Sequence, residues 1–153
     1  MARGDAFYFN QYWPDVGDKL HNNSTDVFKL GIIDNTLIPV ISTANPRWGA
    51  AGGTDLSVNE VLTTGTYPAD GVSLSTVITD NWTTTGTVST QVFDNVSIAA
   101  DPLNGTNAFW GIIYNDTNVL KQCIAFVDLG GPVDMTAGLF AINWNVAGFA
   151  TLA

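Results

Sequence analysis

Of the fourteen acidic residues, thirteen are Asp, and Glu60 is the only Glu. Asp bonds to nearby backbone and gathers in turns, whereas Glu populates helix surfaces. The other polar positions are mostly Thr, Asn and Ser, set between β-branched and aromatic residues. Short strands joined by many tight turns accommodate such a chain, and long surface helices do not. The expected fold is all-β: one β-sandwich or jelly-roll-like domain over 26–153, an aromatic N-terminal arm over 1–25, and at most one short helix.

The turn and strand signals place these elements. Asp26–Ile33 predicts a first strand, Asp34-Asn35 a turn, and Thr36–Ser42 a returning strand that Pro39 pushes to an edge. Ala44–Gly53 reads as a glycine-rich loop around Trp48. The Ser57/Glu60 capping-box spacing marks Thr54–Leu62 as the one candidate helix. Alternation over Gly71–Thr79 predicts a half-buried strand. A Thr-rich turn at Trp82–Gly86 and strands over Thr87–Phe93 and Val96–Ala99 follow. Asn104-Gly105 reads as a turn tolerant of positive φ. Ala108–Tyr114, Leu120–Leu129 and Leu139–Val146 are the most regular strands, followed by Phe149–Leu152. No repeat of 20 to 50 residues is visible, which argues against a propeller or solenoid.

Charge narrows the partners. Only 12% of residues are charged, against roughly 25% in soluble domains, and the net charge is −9. Five dispersed basic residues, Arg3, Lys19, Lys29, Arg47 and Lys121, do not form a phosphate-binding patch. Neither nucleic acid nor an anionic membrane is therefore an expected partner. No basic, apolar opening stretch suggests a secretory signal, and no apolar run approaches the ~20 residues of a bilayer span. A low-charge surface suits extensive contact with other protein. The dense aromatics Phe7, Tyr8, Phe9, Tyr12 and Trp13, with Pro14 opposing a long helix, predict a sticky arm that docks on its own domain or a neighbour. With Trp48 they are the candidate partner-binding residues, and deletion of the arm is expected to abolish attachment while leaving the domain folded.

Catalytic patterns are sparse. His21 is the sole histidine and Cys123 the sole cysteine. A His21–Cys123 dyad is one reading, but Cys123 in an apolar strand reads more simply as a buried thiol. Two such ligands cannot build a zinc site. Oxygen-rich loops at Asp15/Asp18, Asp94/Asn95 and Asn115/Asp116 are candidates for calcium, although Asx turns account for the same residues. Trp48 and Trp82, both in predicted loops, are candidates for stacking on a sugar ring. The expectation is a non-enzyme with no cofactor and no metal.

Several stretches together carry a resemblance. Leu20-His21-Asn22 leading to Asp26-Val27-Phe28-Lys29-Leu30 resembles the opening of a family of small tailed-phage virion proteins. Asn59-Glu60-Val61 followed by Gly65-Thr66-Tyr67 is similar to a later segment of that family, with one of its two glycines replaced here. Phe109–Asp116 resembles its aromatic strand and turn, and Ile124–Gly130 and Gly138–Trp144 its closing strands. The stretches occur in the family's order along nearly the whole chain, while 44–53 and 82–102 match poorly. The resemblance implies a virion component made in the host cytoplasm. By analogy it implies a capsid decoration (cement) protein, trimeric, on the outer surface of the major capsid protein shell. A neck, collar or tail-fibre part and a glycan-binding module are the alternatives.

Overall fold

The computed structural model describes residues 3–22, 25–74, 82–85, 88–91, 93–144 and 150–152, with backbone alone for 82–85, 88–91 and 150–152. The fold is all-β and sandwich-like. In chain order the elements are β1 (Ala6–Tyr8), α1 (Tyr12–Gly17), β2 (Phe28–Ile33), β3 (Pro46–Arg47), β4 (Thr54–Asp55) and a 3₁₀ turn (Ser57–Asn59). Then come β5 (Val72–Ser73), β6 (Trp82–Thr85), β7 (Val88–Gln91), β8 (Val96–Ile98), β9 (Ala108–Asn115), β10 (Cys123–Val133), β11 (Phe140–Ile142) and β12 (Ala150–Leu152).

A five-stranded antiparallel sheet in the order β1-β10-β9-β2-β5 organises the molecule. Its central strand β9 pairs with β2 from Phe28↔Asn115 to Ile33↔Trp110, and with β10 from Cys123↔Tyr114 to Asp128↔Trp110. Both faces are covered, which explains why β9 reads as a nearly unbroken apolar run rather than an alternating one. On the first face, Phe28, Leu30, Ile113 and Val127 pack with Val96, Ile98 and Phe140 of the small β8–β11 sheet, and with Tyr67, Leu74 and Met135. On the second, Ile33, Trp110, Ile112, Tyr114, Cys123 and Phe126 pack beneath Trp48 and Leu56.

Several local expectations change. Thr36–Ser42 is not a strand. Pro39 has no N–H for a ladder, and the backbone instead closes on itself, Thr43 N–H donating to the Val40 carbonyl at 2.9 Å while Thr43 Oγ1 accepts from Val40 N–H. Thr54–Leu62 is not a helix but β4 and the 3₁₀ turn. Asp55 Oδ1 accepts from the Gly49 and Ser57 N–H groups and from the Ser57 hydroxyl. That arrangement holds the chain in an Asx turn instead of a helical start. Trp82–Thr85 is a strand paired with β7, in keeping with the β propensity of its threonines, rather than a turn. Asn104-Gly105 adopts no positive φ among the described residues; Asn104 is buried and its side chain braces other loops. β10 runs four residues beyond Leu129, through a register irregularity between Asp128 and Val133. Residues 75–79 and 145–146 of two expected strands lie outside the described residues.

Candidate functional site

The arm, expected to dock on its own domain or on a neighbour, docks on its own chain. β1 adds to the central sheet with Ala6↔Val127, Phe7↔Phe126 and Tyr8↔Ala125. Phe9 is fully buried and its ring centroid lies 5.0 Å from that of Phe126. α1 is a single short helix in which Pro14 sits within the first turn, where its missing N–H costs nothing. Tyr12 turns inward and stacks on Tyr8 at 4.8 Å. Trp13 turns outward and stays 46% exposed beside both tyrosines.

The six candidate contact residues therefore separate. Phe7, Phe9 and Trp48 pack on the second face, and Tyr8 and Tyr12 on the first. Of the six, only Trp13 is exposed. Phe9, Tyr12 and Trp48 are corrections: each is buried, because an aromatic ring gains more from filling the core than from solvent. Trp48 is the clearest case. Its ring stacks on Tyr114 at 5.1 Å and 9°, in a space left by Gly31, where an added Cβ would fall within the indole. Trp48 is thereby withdrawn as a sugar platform as well, and the Trp82 side chain lies outside the described residues.

What the sequence reading missed is the apolar surface beside the arm. The segment after β2 is anchored to it by Asn10 N–H, which donates to the Ile41 carbonyl at 2.8 Å. Ile38, Val40 and Ile41 are 55%, 46% and 48% exposed there, and Val16 of α1 is also exposed. The signal was Pro39: as a non-strand, this segment has no sheet face in which to bury its isoleucines.

The arm and the end of β9 are joined by a buried polar network. Asn115 Nδ2 donates to Asp26 Oδ2 at 2.6 Å and lies 3.2 Å from His21 Nδ1. Nδ1 must therefore accept, so the imidazole proton sits on Nε2, which points toward Asp15 Oδ2 at 3.9 Å. Gln11 Nε2 donates to the other Asp15 oxygen at 2.8 Å. Asn115 Oδ1 accepts from the Thr117 and Asn118 N–H groups, and Asn118 Nδ2 donates to the Leu20 carbonyl. Burial lowers the His21 pKa, against the upward pull of Asp15 and Asp26. A second brace joins Glu60 to Tyr67. The Tyr67 hydroxyl donates to Glu60 Oε1 and accepts from Ile32 N–H, both at 2.8 Å. Burial raises the Glu60 pKa, partly offset by that hydrogen bond.

These groups brace distant parts of the chain against one another. His21 packs against Tyr12 and Phe28 on the first face, whereas Cys123 lies in the core of the second. The sheet separates the two, so they do not form a dyad. Burial also pushes the Cys123 thiol well up, away from the reactive thiolate. In two of the candidate calcium loops, side-chain oxygens are engaged within the chain. Asp116 is paired with Lys29 at 2.9 Å and Lys121 at 3.2 Å, and Asn95 Oδ1 accepts from Trp144 N–H. Burial alone would raise Asp116, but its bonds to the two lysines outweigh this and hold it below the usual carboxylate range. No group of three His, Cys, Asp or Glu side chains could hold a metal among the described residues, and no helix there is long and apolar enough to cross a membrane.

No protein-family model matches the chain, and no curated protein or solved structure does so either.

Proposed function

We propose that this chain is a structural protein of a tailed-phage particle, a decoration protein that binds the outer surface of the major capsid protein shell and stiffens it, without catalytic activity. The observation that carries this reading is where the phage-like stretches meet. His21 of the first and Asp26, which opens its strand, converge on Asn115 of the Phe109–Asp116 stretch. Glu60 and Tyr67, at the two ends of the Asn59–Tyr67 stretch, bond to each other. Ile124–Gly130 lies within β10, beside β9 in the same sheet. Positions in these stretches brace one another across long sequence separations, and the order of the stretches along the chain supports the reading.

The surface supports attachment to protein. Trp13, Ile38, Val40 and Ile41 are exposed around the arm on a chain with only 12% charged residues. Aromatic anchors with an apolar surround are the usual energetic centre of a protein interface. Each subunit would bridge neighbouring shell proteins, and a trimer over local threefold positions would multiply weak contacts through effective concentration. The test is co-sedimentation with capsids stripped of this protein. The wild-type chain should pellet with the shell, and Trp13→Ser combined with Ile41→Ser should leave it in the supernatant with an unchanged unfolding midpoint. Undiminished binding by that double variant would remove this face from the account.

A further inference from the structure

The amides of Asn115 and Asn118 hold the turn after α1 at two points. One is the Leu20 carbonyl, which accepts from both, and the other is His21 Nδ1. The first contact is indifferent to pH, and the second is not. Asn115 cannot turn its amide over to offer the ring an oxygen, because Oδ1 already accepts from the Thr117 and Asn118 N–H groups at 3.0 and 3.2 Å. Its Nδ2 therefore faces His21, where only a bare ring nitrogen can accept from it. A second proton on the imidazole has to go to Nδ1, and two donors then oppose each other at 3.2 Å. A buried donor without an acceptor is costly.

The surrounding groups do not relieve that conflict. Among the described residues Nε2 has no acceptor within hydrogen-bond reach, since Asp15 Oδ2 on α1 lies 3.9 Å away. The Asp26 oxygen nearest the network, ahead of β2, already accepts from Asn115 Nδ2 and the Asn22 N–H. Burial between the rings of Tyr12 and Phe28 disfavours a charged imidazole more than Asp15 and Asp26 favour it, and the Arg47 cation of β3 adds to that opposition. The imidazole is wholly covered, so it reaches water only when the turn moves. α1 is six residues long with no side-chain bond at its N-cap, too short to persist without its packing. We propose that α1 and the turn after it form an acid-released latch: a second proton on His21 breaks the contact with Asn115, and residues 12–22 lift from the sheet while β1 stays paired. Trp13 and Val16 ride on this segment, so the exposed apolar face beside Ile41 is assembled at neutral pH and dispersed in acid. The latch is a property of the isolated chain, and only the identity of what that face binds rests on the particle reading.

The test is amide hydrogen exchange of the full-length chain, followed by NMR between pH 7.5 and 5.0 and corrected for intrinsic exchange. The reporters are the Asp18 and Leu20 N–H groups, which donate to the Pro14 and Asp15 carbonyls. Their protection should fall tenfold or more, toward the about thirtyfold limit set by an opened imidazole of ordinary pKa ~6.5. Low urea should not accelerate this exchange, which marks a local opening, whereas Ile112 and Ile113 of β9 should stay better protected and respond to urea. His21→Asn keeps an acceptor facing Asn115 and takes up no proton, so its reporters should not respond to pH in this range. The ring nitrogen shifts of the wild-type chain supply a readout that needs no variant. They should show the Nε2–H form at neutral pH, with proton uptake coinciding with the loss of protection at Leu20. The inference is overturned by ring titration with protection retained, by reporters that exchange only through global unfolding, or by a pH response that survives His21→Asn. Protection that rises in acid also overturns it, because Asp15 and Asp26 would then be drawing the imidazolium into an ion pair.

Discussion

Gly31 and Trp48 show how much one missing side chain decides. Without a Cβ, β2 leaves room for the indole to lie flat on Tyr114. Gly31→Ala must displace that ring, and overpacking of this kind costs about 1–3 kcal/mol. Trp48→Ala should cost about 3–5 kcal/mol. Urea midpoints of the two variants check both figures, and the double variant should be less than additive because the residues touch. At His21 the prediction concerns pH. In the unfolded chain imidazole takes up its proton near pH ~6.5, but in the folded chain burial delays this to lower pH. As pH falls below ~6.5 the unfolded state therefore binds more protons, and stability declines with it. The wild-type urea midpoint should drop between pH 7 and 5.5, and His21→Gln should remove that segment of the profile. Glu60 acts with the opposite sign and at lower pH, since its raised pKa contributes stability that is lost as pH rises through it. A profile unchanged by His21→Gln would show that burial does not hold the imidazole neutral.

At the scale of elements, the arm is part of the core. β1 is a strand of the main sheet, and Phe9 and Tyr12 are buried in opposite cores. Removing residues 1–17 should therefore do more than release a tether, contrary to what the sequence suggests. We expect the truncated chain to lose its cooperative thermal transition, monitored by near-ultraviolet circular dichroism, and a truncated chain that still unfolds cooperatively would contradict the structure. Strand pairs with strong local signals, β2, β9, β10 and β11, were legible because β-branched and aromatic residues run between Asx and Gly turns. What was not legible depended on distant partners. Glu60 has helix-capping spacing with Ser57, yet Tyr67 and Ile33 claim it for a different geometry. The aromatics of the arm announced that they would be covered but not by what, because the covering residue, Phe126, lies more than a hundred positions away. The candidate contact face was hidden for the same reason: whether Ile38 and Ile41 are buried depends on a neighbouring strand that sequence spacing cannot reveal.

The whole molecule is a low-charge sandwich that leaves Trp13, Ile38, Val40 and Ile41 exposed. Such a body suits multivalent attachment, with each contact modest and the array strong. Sedimentation equilibrium of the isolated chain should show a trimer, and a monomer at micromolar concentration would remove the trimeric element. The most direct measurement is quantitative mass spectrometry of purified particles from a culture producing this chain, giving its copy number relative to the major shell protein. A ratio near parity, or a simple fraction of it, is the result the decoration account predicts. Trace amounts would place the chain at the neck or tail, and its absence from the particles would contradict the virion reading altogether.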